Sequence, residues 1–385
     1  MRKKLFFIII ILTIMILPLK NIIIQAKVNN VNDDLIIDAK SGCLIESKTN
    51  SILYSKNENE KLAPASMTKI MTMLLVMEKI DNNIISLNDI VTTPKQAASL
   101  GGSQIYLSEG EKMTVNDLLK AMCIASANDA AMSLAIFIGG TEKNFVQMMN
   151  DKVKDLNLKN TNFVNPYGFD DPNHYSSSYD MACIASHLIN NHPTILEYTS
   201  IYEDYVREDT EKRFWLVNTN KLVKFVDGVD GLKTGWTNNS GYCLTATINK
   251  NNERFIAVTM GNSSPTIRNT EITNLLYYGV NNFETKKLIS KNDVIKEIKN
   301  VNSKPNNIIF KCSKDVIIVK RKNESLKQWN IVENININNE QSYIDVYYNN
   351  QLYTRVYLIT DSKICKANIF DLMITIFKEL FLTSK

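Results

Sequence analysis

Ser66 and Lys69 are the pair of residues in this sequence best suited to chemistry, because they stand three positions apart at the start of an apolar run. Residues at i and i+3 of a helix share one face. A hydroxyl is a weak nucleophile at its free pKa, and a neutral lysine amine beside it takes up its proton. Burial and a second cation both lower the pKa of a lysine, so this pair has what acyl transfer requires.

Ser126 and Asn128 form a second polar element, between two apolar helical runs. A hydroxyl at Ser126 would relay a proton to a leaving amine, and the Asn128 amide would hold Lys69 and bind a substrate amide. An acyl-transfer site also needs donors for the oxyanion. We expect one backbone N–H from Ser66, at the positive end of a helix, and another from the strand after Gly235.

Lys233, Thr234 and Gly235 form the third element, where an apolar strand begins. The charge of Lys233 would lower the pKa of Lys69, and Lys233 and Thr234 would meet a substrate carboxylate. Gly235 would let a substrate backbone approach an edge strand closely. Similar short patterns occur elsewhere in the chain, but the ordered set of three predicts a serine enzyme that works through an acyl intermediate.

Composition excludes several other classes of protein. The 385 residues are 44% hydrophobic and 22% charged, which is typical of a globular chain long enough for two domains. A net charge of +4 without a long basic stripe argues against nucleic-acid binding. The six cysteines and three histidines are scattered without metal-ligand spacing. We therefore predict no metal and no cofactor, and cysteines that pack as small buried hydrophobes.

The N-terminus has the pattern of an export signal. Basic residues at positions 2–4 precede an apolar run over residues 5–17, and the segment 24–26 ends in a small residue. The run is shorter than the roughly 20 apolar residues of a membrane span. We predict a signal peptide over residues 1–26, with a retained anchor as the alternative. Either one places the rest of the chain outside the cytoplasmic membrane.

Hydrophobic patterns predict an α+β fold. Apolar runs indicate strands over residues 35–47 and 242–260, with a turn at 40–42 and a helix that starts at Ser66. Strands at both ends of residues 27–285, with helices between them, predict an antiparallel sheet packed against helices. This segment would be the domain that carries the chemistry.

Two further segments follow this domain. Short alternating apolar runs over residues 286–362 predict a small all-β domain. Residues 363–385 predict an amphipathic helix, which would either pack on the β domain or lie on a membrane surface. Its place at the end of an exported chain favours the membrane surface. Its apolar face comprises Ile369, Leu372, Met373, Ile376, Phe377 and Leu380.

The motifs resemble those of the low-molecular-weight penicillin-binding proteins, the D-alanyl-D-alanine carboxypeptidases of peptidase family S11. The likeness runs from about Asp34 to Glu284 and continues more weakly toward the C-terminus. It extends beyond the three elements to whole segments in family order. These are A-P-A-S-M-T-K at 63–69, G-G-S at 101–103, I-A-S-A-N-D-A at 124–130, N-P-Y-G at 165–168 and D-G-L-K-T-G at 230–235.

The resemblance implies a penicillin-binding/β-lactamase-like fold for the first domain and a role for each motif residue. Ser66 would be the acylated nucleophile, Lys69 its base and Ser126 the third catalytic group. Arg268 resembles an arginine that lies near the substrate carboxylate in the family, although a solvated loop charge is the alternative. The substrate-binding residues would be Asn128, Lys233, Thr234, Gly235 and Arg268.

Two positions depart from the family pattern. Tyr167 stands where relatives often carry histidine, and Trp236 follows Gly235 where relatives vary between histidine and an aromatic residue. Neither change removes a proposed catalytic group. Both would alter substrate fit or the rate of deacylation.

Three other functions share parts of this pattern. A serine β-lactamase would need a deacylation base, usually Glu in a loop between the second and third motifs, and residues 161–180 contain no Glu. A transpeptidase differs only in using an amine as acyl acceptor. A wall-binding protein with a dead site would have no need for Lys69.

The sequence therefore predicts an exported carboxypeptidase that removes the terminal D-alanine from peptidoglycan pentapeptide stems, and that β-lactams inhibit covalently. It would act at the outer face of the cytoplasmic membrane or in the cell wall. Its C-terminal helix would contact the membrane surface, and nucleic acid would not be a partner.

Overall fold

The computed structural model of the chain describes residues 35–300, 302–337 and 341–382. The predicted signal peptide, residues 1–26, lies outside the described residues. Within the described ranges, no helix combines the length and the apolar character that crossing a bilayer requires. The described residues form two compact units, one from residues 35–291 and 315–325 and the other from the remainder.

The strands are numbered in chain order. They are β1 (Ser41–Glu46), β2 (Ile52–Lys56), β3 (Ile90–Thr92), β4 (Lys112–Thr114), β5 (Glu203–Val206), β6 (Phe214–Val217), β7 (Val229–Thr237), β8 (Gly241–Lys250), β9 (Glu253–Asn262), β10 (Phe283–Ile289), β11 (Val294–Lys299), β12 (Ser303–Lys304), β13 (Asn307–Cys312), β14 (Val316–Arg321), β15 (Trp329–Asn334), β16 (Tyr343–Tyr348), β17 (Gln351–Thr360) and β18 (Cys365–Lys366).

The α-helices are numbered in the same way. They are α1 (Lys69–Asp81), α2 (Lys95–Ala98), α3 (Val115–Ile124), α4 (Asn128–Gly139), α5 (Glu142–Asp155), α6 (Ser178–Asn191), α7 (Ile195–Thr199), α8 (Leu222–Phe225), α9 (Pro265–Asn282) and α10 (Ile369–Leu382). Single 3₁₀ turns cover Ala65–Thr68 and Leu326–Gln328.

A five-stranded antiparallel sheet organises the first unit, with strand order β2-β1-β9-β8-β7. Strands from both ends of the domain therefore meet in one sheet, and β7 is an edge strand, as the sequence predicts. Side chains alternate between the faces of a strand. Accordingly Cys43 and Ile45 join the core beneath helices α1, α3, α4 and α6, while Leu44 joins the core beneath α9.

The predicted turn at 40–42 and the strand before it are wrong. Ser41 already lies in β1, and residues 35–37 form no strand. The backbone N–H groups of Ile37 and Asp38 each donate to the Glu271 carboxylate at 2.7 Å. A side chain distant in sequence therefore satisfies this backbone in place of a strand ladder.

The residues that precede a helix determine where it begins. Thr114 precedes α3, and its hydroxyl accepts a hydrogen bond from Asp117 N at 3.0 Å, as the capping pattern predicts. The helix expected to start at Ser66 instead begins at Lys69, after the 3₁₀ turn Ala65–Thr68, which we call the Ser66 turn. Ala65 has a φ of +48°, a left-handed value at which an L-residue cannot begin an α-helix.

The second unit is built on a five-stranded antiparallel sheet with order β11-β13-β17-β16-β15, which agrees with the predicted all-β region. Phe310, Ile344, Val346 and Val356 are buried in it. Strands β10 and β14 pair with each other and belong to the first unit. The predicted domain limits at 285 and 362 stay predictions.

The prediction that the cysteines pack as buried hydrophobes holds for most of them. Cys43, Cys123, Cys243 and Cys312 are buried. Cys365 is exposed in the short strand β18, which pairs only with β12, so the prediction is wrong there.

Candidate active site

The Ser66 turn places the nucleophile candidate directly ahead of α1. Ser66 is half-buried, whereas Lys69, one turn on, is fully buried. Lys69 Nζ lies 3.0 Å from Ser66 Oγ. The spacing of three residues therefore brings the two side chains together as the sequence predicts.

Lys69 has two further hydrogen-bond partners. Its Nζ donates to Asn128 Oδ1 at 2.7 Å and to the backbone carbonyl of Tyr167 at 2.8 Å. A neutral amine has two N–H donors and one lone pair. With both donors used on these acceptors, the lone pair points to Ser66 Oγ, which is the geometry for removing the hydroxyl proton.

The charge on Lys69 is disfavoured. Burial, followed by the nearby Lys233, holds its pKa well below the ordinary lysine value, and Asp129 opposes this shift. Desolvation and a like charge both favour the neutral amine. The environment therefore shifts Lys69 toward the basic form that the chemistry needs.

Ser126 and Asn128 occupy the junction between α3 and α4. Asn128 is fixed from two sides, because its side-chain Nδ2 donates to Gly101 O at 2.8 Å and its backbone N–H donates to Ser103 O at 2.7 Å. Ser126 is buried and has a φ of +65°. A non-glycine residue at positive φ stores strain, and such strain is concentrated at functional sites.

Asp129 anchors the other side of this junction and was missed by the sequence reasoning. Its carboxylate accepts hydrogen bonds from the backbone N–H groups of Ile105 and Leu107 at 3.0–3.2 Å. It thereby ties the segment that contains Gly101 and Ser103 to the start of α4. The quoted segment I-A-S-A-N-D-A contains Asp129, but nothing in its spacing indicates these partners.

Lys233 and Thr234 lie on the edge strand β7. Burial lowers the pKa of Lys233 to about 7; the Cys123 thiol opposes this shift and Arg268 adds to it. Thr234 Oγ1 donates to Thr219 Oγ1 at 2.7 Å. Burial therefore lowers the pKa of both lysines, and the charge of Lys233 contributes to the shift at Lys69.

Arg268 is part of this region. It is 6% exposed on α9, and burial lowers the pKa of its guanidinium to about 10. The alternative of a solvated loop charge is wrong. Arg268 brings a second cation near Lys233, so the region attracts an anionic group such as a carboxylate.

Gly235 packs on protein rather than opening space for a ligand. A Cβ at this position would lie 2.7 Å from Pro64 O and 3.1 Å from Ala65 Cβ. The missing side chain lets β7 approach the Ser66 turn. The predicted role in admitting a substrate backbone stays a prediction.

The segment 163–177, which we call the Tyr167 loop, closes the other side of the Ser66 turn. Asn165 Oδ1 accepts hydrogen bonds from the backbone N–H groups of Tyr167, Gly168 and Phe169 at 2.6–3.3 Å. This side chain was not singled out in the sequence. It holds the loop in the conformation that presents the Tyr167 carbonyl to Lys69.

The two departures from the family pattern leave these contacts intact. Tyr167 meets Lys69 through its backbone carbonyl, while its side chain packs edge-on against Phe169 and contacts Glu142. Trp236 is 52% exposed beside Tyr242 on the neighbouring strand. The changed side chains therefore alter the surroundings of the site and leave its hydrogen-bonded centre unchanged.

The assembled groups have the properties of an acyl-transfer site. The half-buried Ser66 hydroxyl faces an amine whose lowered pKa favours the neutral form, and the buried Ser126 hydroxyl stands at a strained junction. Lys233 on the edge strand and Arg268 on α9 are close enough for the charge of Arg268 to lower the pKa of Lys233. Across the described residues, no group of His, Cys, Asp and Glu side chains is arranged to hold a metal ion.

Comparison with known proteins agrees with this arrangement. The sequence profile of the D-alanyl-D-alanine carboxypeptidase family, Peptidase_S11, matches residues 27–264. The D-alanyl-D-alanine carboxypeptidase DacF of Bacillus subtilis is 49% identical over 293 residues, which are 76% of this chain and 75% of that protein.

Solved structures show the same fold. Penicillin-binding protein 5 from Haemophilus influenzae is 28% identical with a TM-score of 0.78, over 88% of this chain and 100% of that one. Penicillin-binding protein D2 from Listeria monocytogenes, in its ampicillin-bound form, is 30% identical with a TM-score of 0.58, over 66% of this chain and 100% of that one. The chain belongs to the D-alanyl-D-alanine carboxypeptidase family, peptidase family S11.

Proposed function

We propose that this chain is an exported serine-type D-Ala-D-Ala carboxypeptidase that removes the terminal D-alanine from peptidoglycan pentapeptide stems through a Ser66 acyl-enzyme. Membership of the family supports the reaction. The observation that carries the assignment of the site is the position of Lys69 Nζ, 3.0 Å from Ser66 Oγ with both remaining donors used on fixed acceptors.

Acylation begins when Ser66 Oγ attacks the carbonyl carbon between the two D-alanines and its proton passes to the neutral Lys69 amine. The C–N bond then breaks, and Ser126 relays a proton to the leaving amine of the terminal D-alanine. Lys233 and Arg268 bind the terminal carboxylate together with Thr234. Burial of Lys69, Ser126, Lys233, Thr234 and Arg268 supports these roles, as do the effects of Lys233 on the pKa of Lys69 and of Arg268 on the pKa of Lys233.

Deacylation uses a water molecule as the acyl acceptor, and Ser66 becomes the leaving group. Water attacks the ester carbonyl while Lys69 accepts a proton from it. The C–O bond to Ser66 then breaks, and Lys69 returns the proton to Ser66 Oγ, which leaves as the free hydroxyl. A β-lactam acylates the same hydroxyl, but its amine remains tethered to the acyl group after ring opening. Because residues 161–180 provide no Glu as a dedicated base, we expect this acyl-enzyme to be long-lived.

The family processes cell-wall peptidoglycan, so its site of action is outside the cytoplasm. We extend this to a cleaved signal over residues 1–26 and a membrane-surface role for α10. The support for α10 is its exposed apolar face, on which Ile369, Phe370 and Met373 are 62–77% exposed. An amphipathic helix of this kind binds a lipid surface by burying its apolar side chains.

The reaction is tested by measuring D-alanine release from an N-acylated Lys-D-Ala-D-Ala peptide with the full-length protein. We expect release by the wild type and by Ser99→Ala, an exposed serine outside the site, and none by Ser66→Ala. Labelled penicillin should mark the first two proteins only. Labelling without release would identify a transpeptidase, and absence of both would leave a binding protein.

The membrane role is tested by deleting residues 364–385 and separating membranes from soluble protein after signal cleavage. We expect the truncated protein to leave the membrane fraction while it still binds penicillin. Retention of the truncated protein on membranes would contradict the role of α10.

A further inference from the structure

His174 is a buried histidine in the Tyr167 loop that belongs to none of the three motif elements. It is 2% exposed, and its ring packs edge-on against Phe163 with ring centroids 5.6 Å apart. Its Nδ1 lies 3.0 Å from Val164 N, and its Nε2 lies 2.7 Å from Thr68 Oγ1. The ring therefore bridges the neck of the loop and the Ser66 turn.

The Val164 contact fixes the tautomer of the ring. A backbone N–H is always a donor, so Nδ1 must accept and Nε2 must carry the proton. Nε2 then donates to Thr68 Oγ1. Burial lowers the pKa of His174 to about 4, opposed by Asp171, so the ring stays in this neutral form at neutral pH.

Thr68 connects this histidine to the reacting groups, because it stands between Met67 and Lys69 in the Ser66 turn. It is fully buried. Two further contacts join α1, which follows the Ser66 turn directly, to the same loop: Lys69 Nζ with Tyr167 O at 2.8 Å, and Thr72 Oγ1 with Pro166 O at 2.6 Å.

These contacts hold two different parts of the loop. Lys69 and Thr72 hold the segment around Pro166 and Tyr167, while His174 holds the returning segment.

The returning segment is also paired through its backbone with Leu62 and Asn162. The His174 ring adds a side-chain contact that joins this segment to the Ser66 turn itself, next to Lys69. We expect that loss of this contact lets the turn and the loop shift against each other, which changes the direction of the Lys69 lone pair.

We propose that His174 is a positioning residue for the reaction, which acts through Thr68 to hold the Tyr167 carbonyl and thereby aims Lys69 at Ser66. This inference rests on the proposed function, since it assigns a residue to that same site. His174 contacts neither the nucleophile nor its base, so its effect is on geometry. Both acylation and deacylation depend on Lys69, so both should slow when the bridge is lost.

The test compares two substitutions that each keep one half of the bridge. The amide nitrogen of His174→Gln reaches the place of Nε2 and keeps the donor to Thr68, whereas the amide oxygen of His174→Asn takes the place of Nδ1 and keeps the acceptor for Val164. Thr68→Val removes the hydroxyl at the other end. The readouts are kcat and KM for D-alanine release, the rate of acylation by penicillin, and the thermal midpoint.

We expect His174→Asn and Thr68→Val each to lower kcat about 10- to 100-fold, the cost of a misplaced reacting group, with KM little changed. His174→Gln should recover most of the activity. The double variant His174→Asn/Thr68→Val should be no slower than either single variant, because both remove one link. The acylation rate should fall in parallel with kcat.

His192→Gln is the matched control. His192 is another buried histidine of the same unit, bonded to Asp81 at the end of α1, far along the chain from the Ser66 turn. Its substitution should lower the thermal midpoint and leave kcat unchanged.

Two results would overturn the inference. One is a lower thermal midpoint with normal kcat in His174→Asn, which would make the histidine purely structural. The other is additive losses in the double variant, which would rule out the route through Thr68. If the wild type itself releases no D-alanine, the proposed function fails instead, and penicillin acylation still decides the role of His174.

Discussion

Gly168 lies so close to Ala65 that a Cβ at Gly168 would stand 1.9 Å from the Ala65 carbonyl oxygen and 2.9 Å from Ser66 N. The backbone of the Tyr167 loop therefore rests directly on the backbone that carries the nucleophile. Gly168 also has a φ of +98°, which L-residues rarely adopt. The shape of the site thus depends on two stretches of backbone in contact.

Gly168→Ala should abolish penicillin labelling and lower the free energy of unfolding by about 2 kcal/mol or more, because steric overlap adds to strain at positive φ. Gly110→Ala is the matched control. Gly110 has a φ of +78° with nothing within 4 Å of an added Cβ, so only the strain applies there. Denaturant unfolding and labelling are the measurements. Normal labelling of Gly168→Ala would mean that the loop can move to accommodate the added methyl group without disturbing the site.

The conformation of the Tyr167 loop, more than its side chains, should matter for activity. Asn165→Ala removes the acceptor of three backbone N–H groups, so we expect a loss of kcat of about 10-fold or more as the Tyr167 carbonyl moves away from Lys69. Tyr167→Phe keeps the carbonyl and should retain nearly full activity. The two variants are compared in the D-alanine release assay, and equal losses in both would refute this explanation.

Much of the site is predictable because its groups come from short, ordered segments. The spacing of Ser66 and Lys69 places them one helical turn apart. Lys233 lies in a strand as predicted, although in the middle of β7 and not at the start of a strand. The antiparallel sheet built from both ends of the domain is likewise predictable from the position of the apolar strands in the chain. These features depend on patterns within a few residues, where sequence is most informative.

The residues that hold the catalytic groups in position are not predictable in this way. Asp129, Asn165 and His174 act on backbone groups or on side chains distant in sequence. A backbone carbonyl such as that of Tyr167 leaves no signature in the sequence at all. The contact between Gly235 and the Ser66 turn is not predictable for a related reason, since only the fold shows that the turn fills the space beside it.

The pH dependence of kcat/KM should reveal both buried lysines. As pH rises, activity should increase while Lys69 loses its proton, because the neutral amine is the base. Since the pKa of Lys69 is lowered, this increase should occur at a pH below the ordinary lysine range. Activity should fall as pH passes about 7, the pKa of Lys233, because the charge that attracts the substrate carboxylate is lost. The expected profile is a bell.

Substitution of Arg268 tests whether the titration of Lys233 causes the fall in kcat/KM at high pH. Arg268 disfavours the charged form of Lys233, so Arg268→Gln should raise the pKa of Lys233 and move the falling limb to higher pH, at a lower maximum. Arg213→Gln removes an exposed positive charge from the same unit and should leave the limb in place, since surface charges are screened by salt. A limb that does not move in Arg268→Gln would mean that another group titrates there.

The exposed face of α10 makes a separate prediction about lipid binding. Phe370 and Met373 are 77% and 62% exposed and lie close together on the helix at i and i+3. Met373 belongs to the predicted apolar face, and Phe370 extends the exposed apolar surface beside it. Changing both to Glu should abolish flotation of the protein with anionic vesicles. An apolar side chain gains free energy when it enters the lipid, whereas a charged side chain costs free energy to bury there. Penicillin labelling should stay normal, since neither residue belongs to the unit that contains Ser66.

The matched control for α10 changes two exposed apolar side chains of the other unit. Ile84 and Ile90 are 62% and 53% exposed, so Ile84→Glu/Ile90→Glu removes a similar amount of exposed apolar surface and adds the same charge. This variant should float with vesicles as the wild type does. If it loses flotation as fully as Phe370→Glu/Met373→Glu does, then net charge decides lipid binding and α10 has no special part in it.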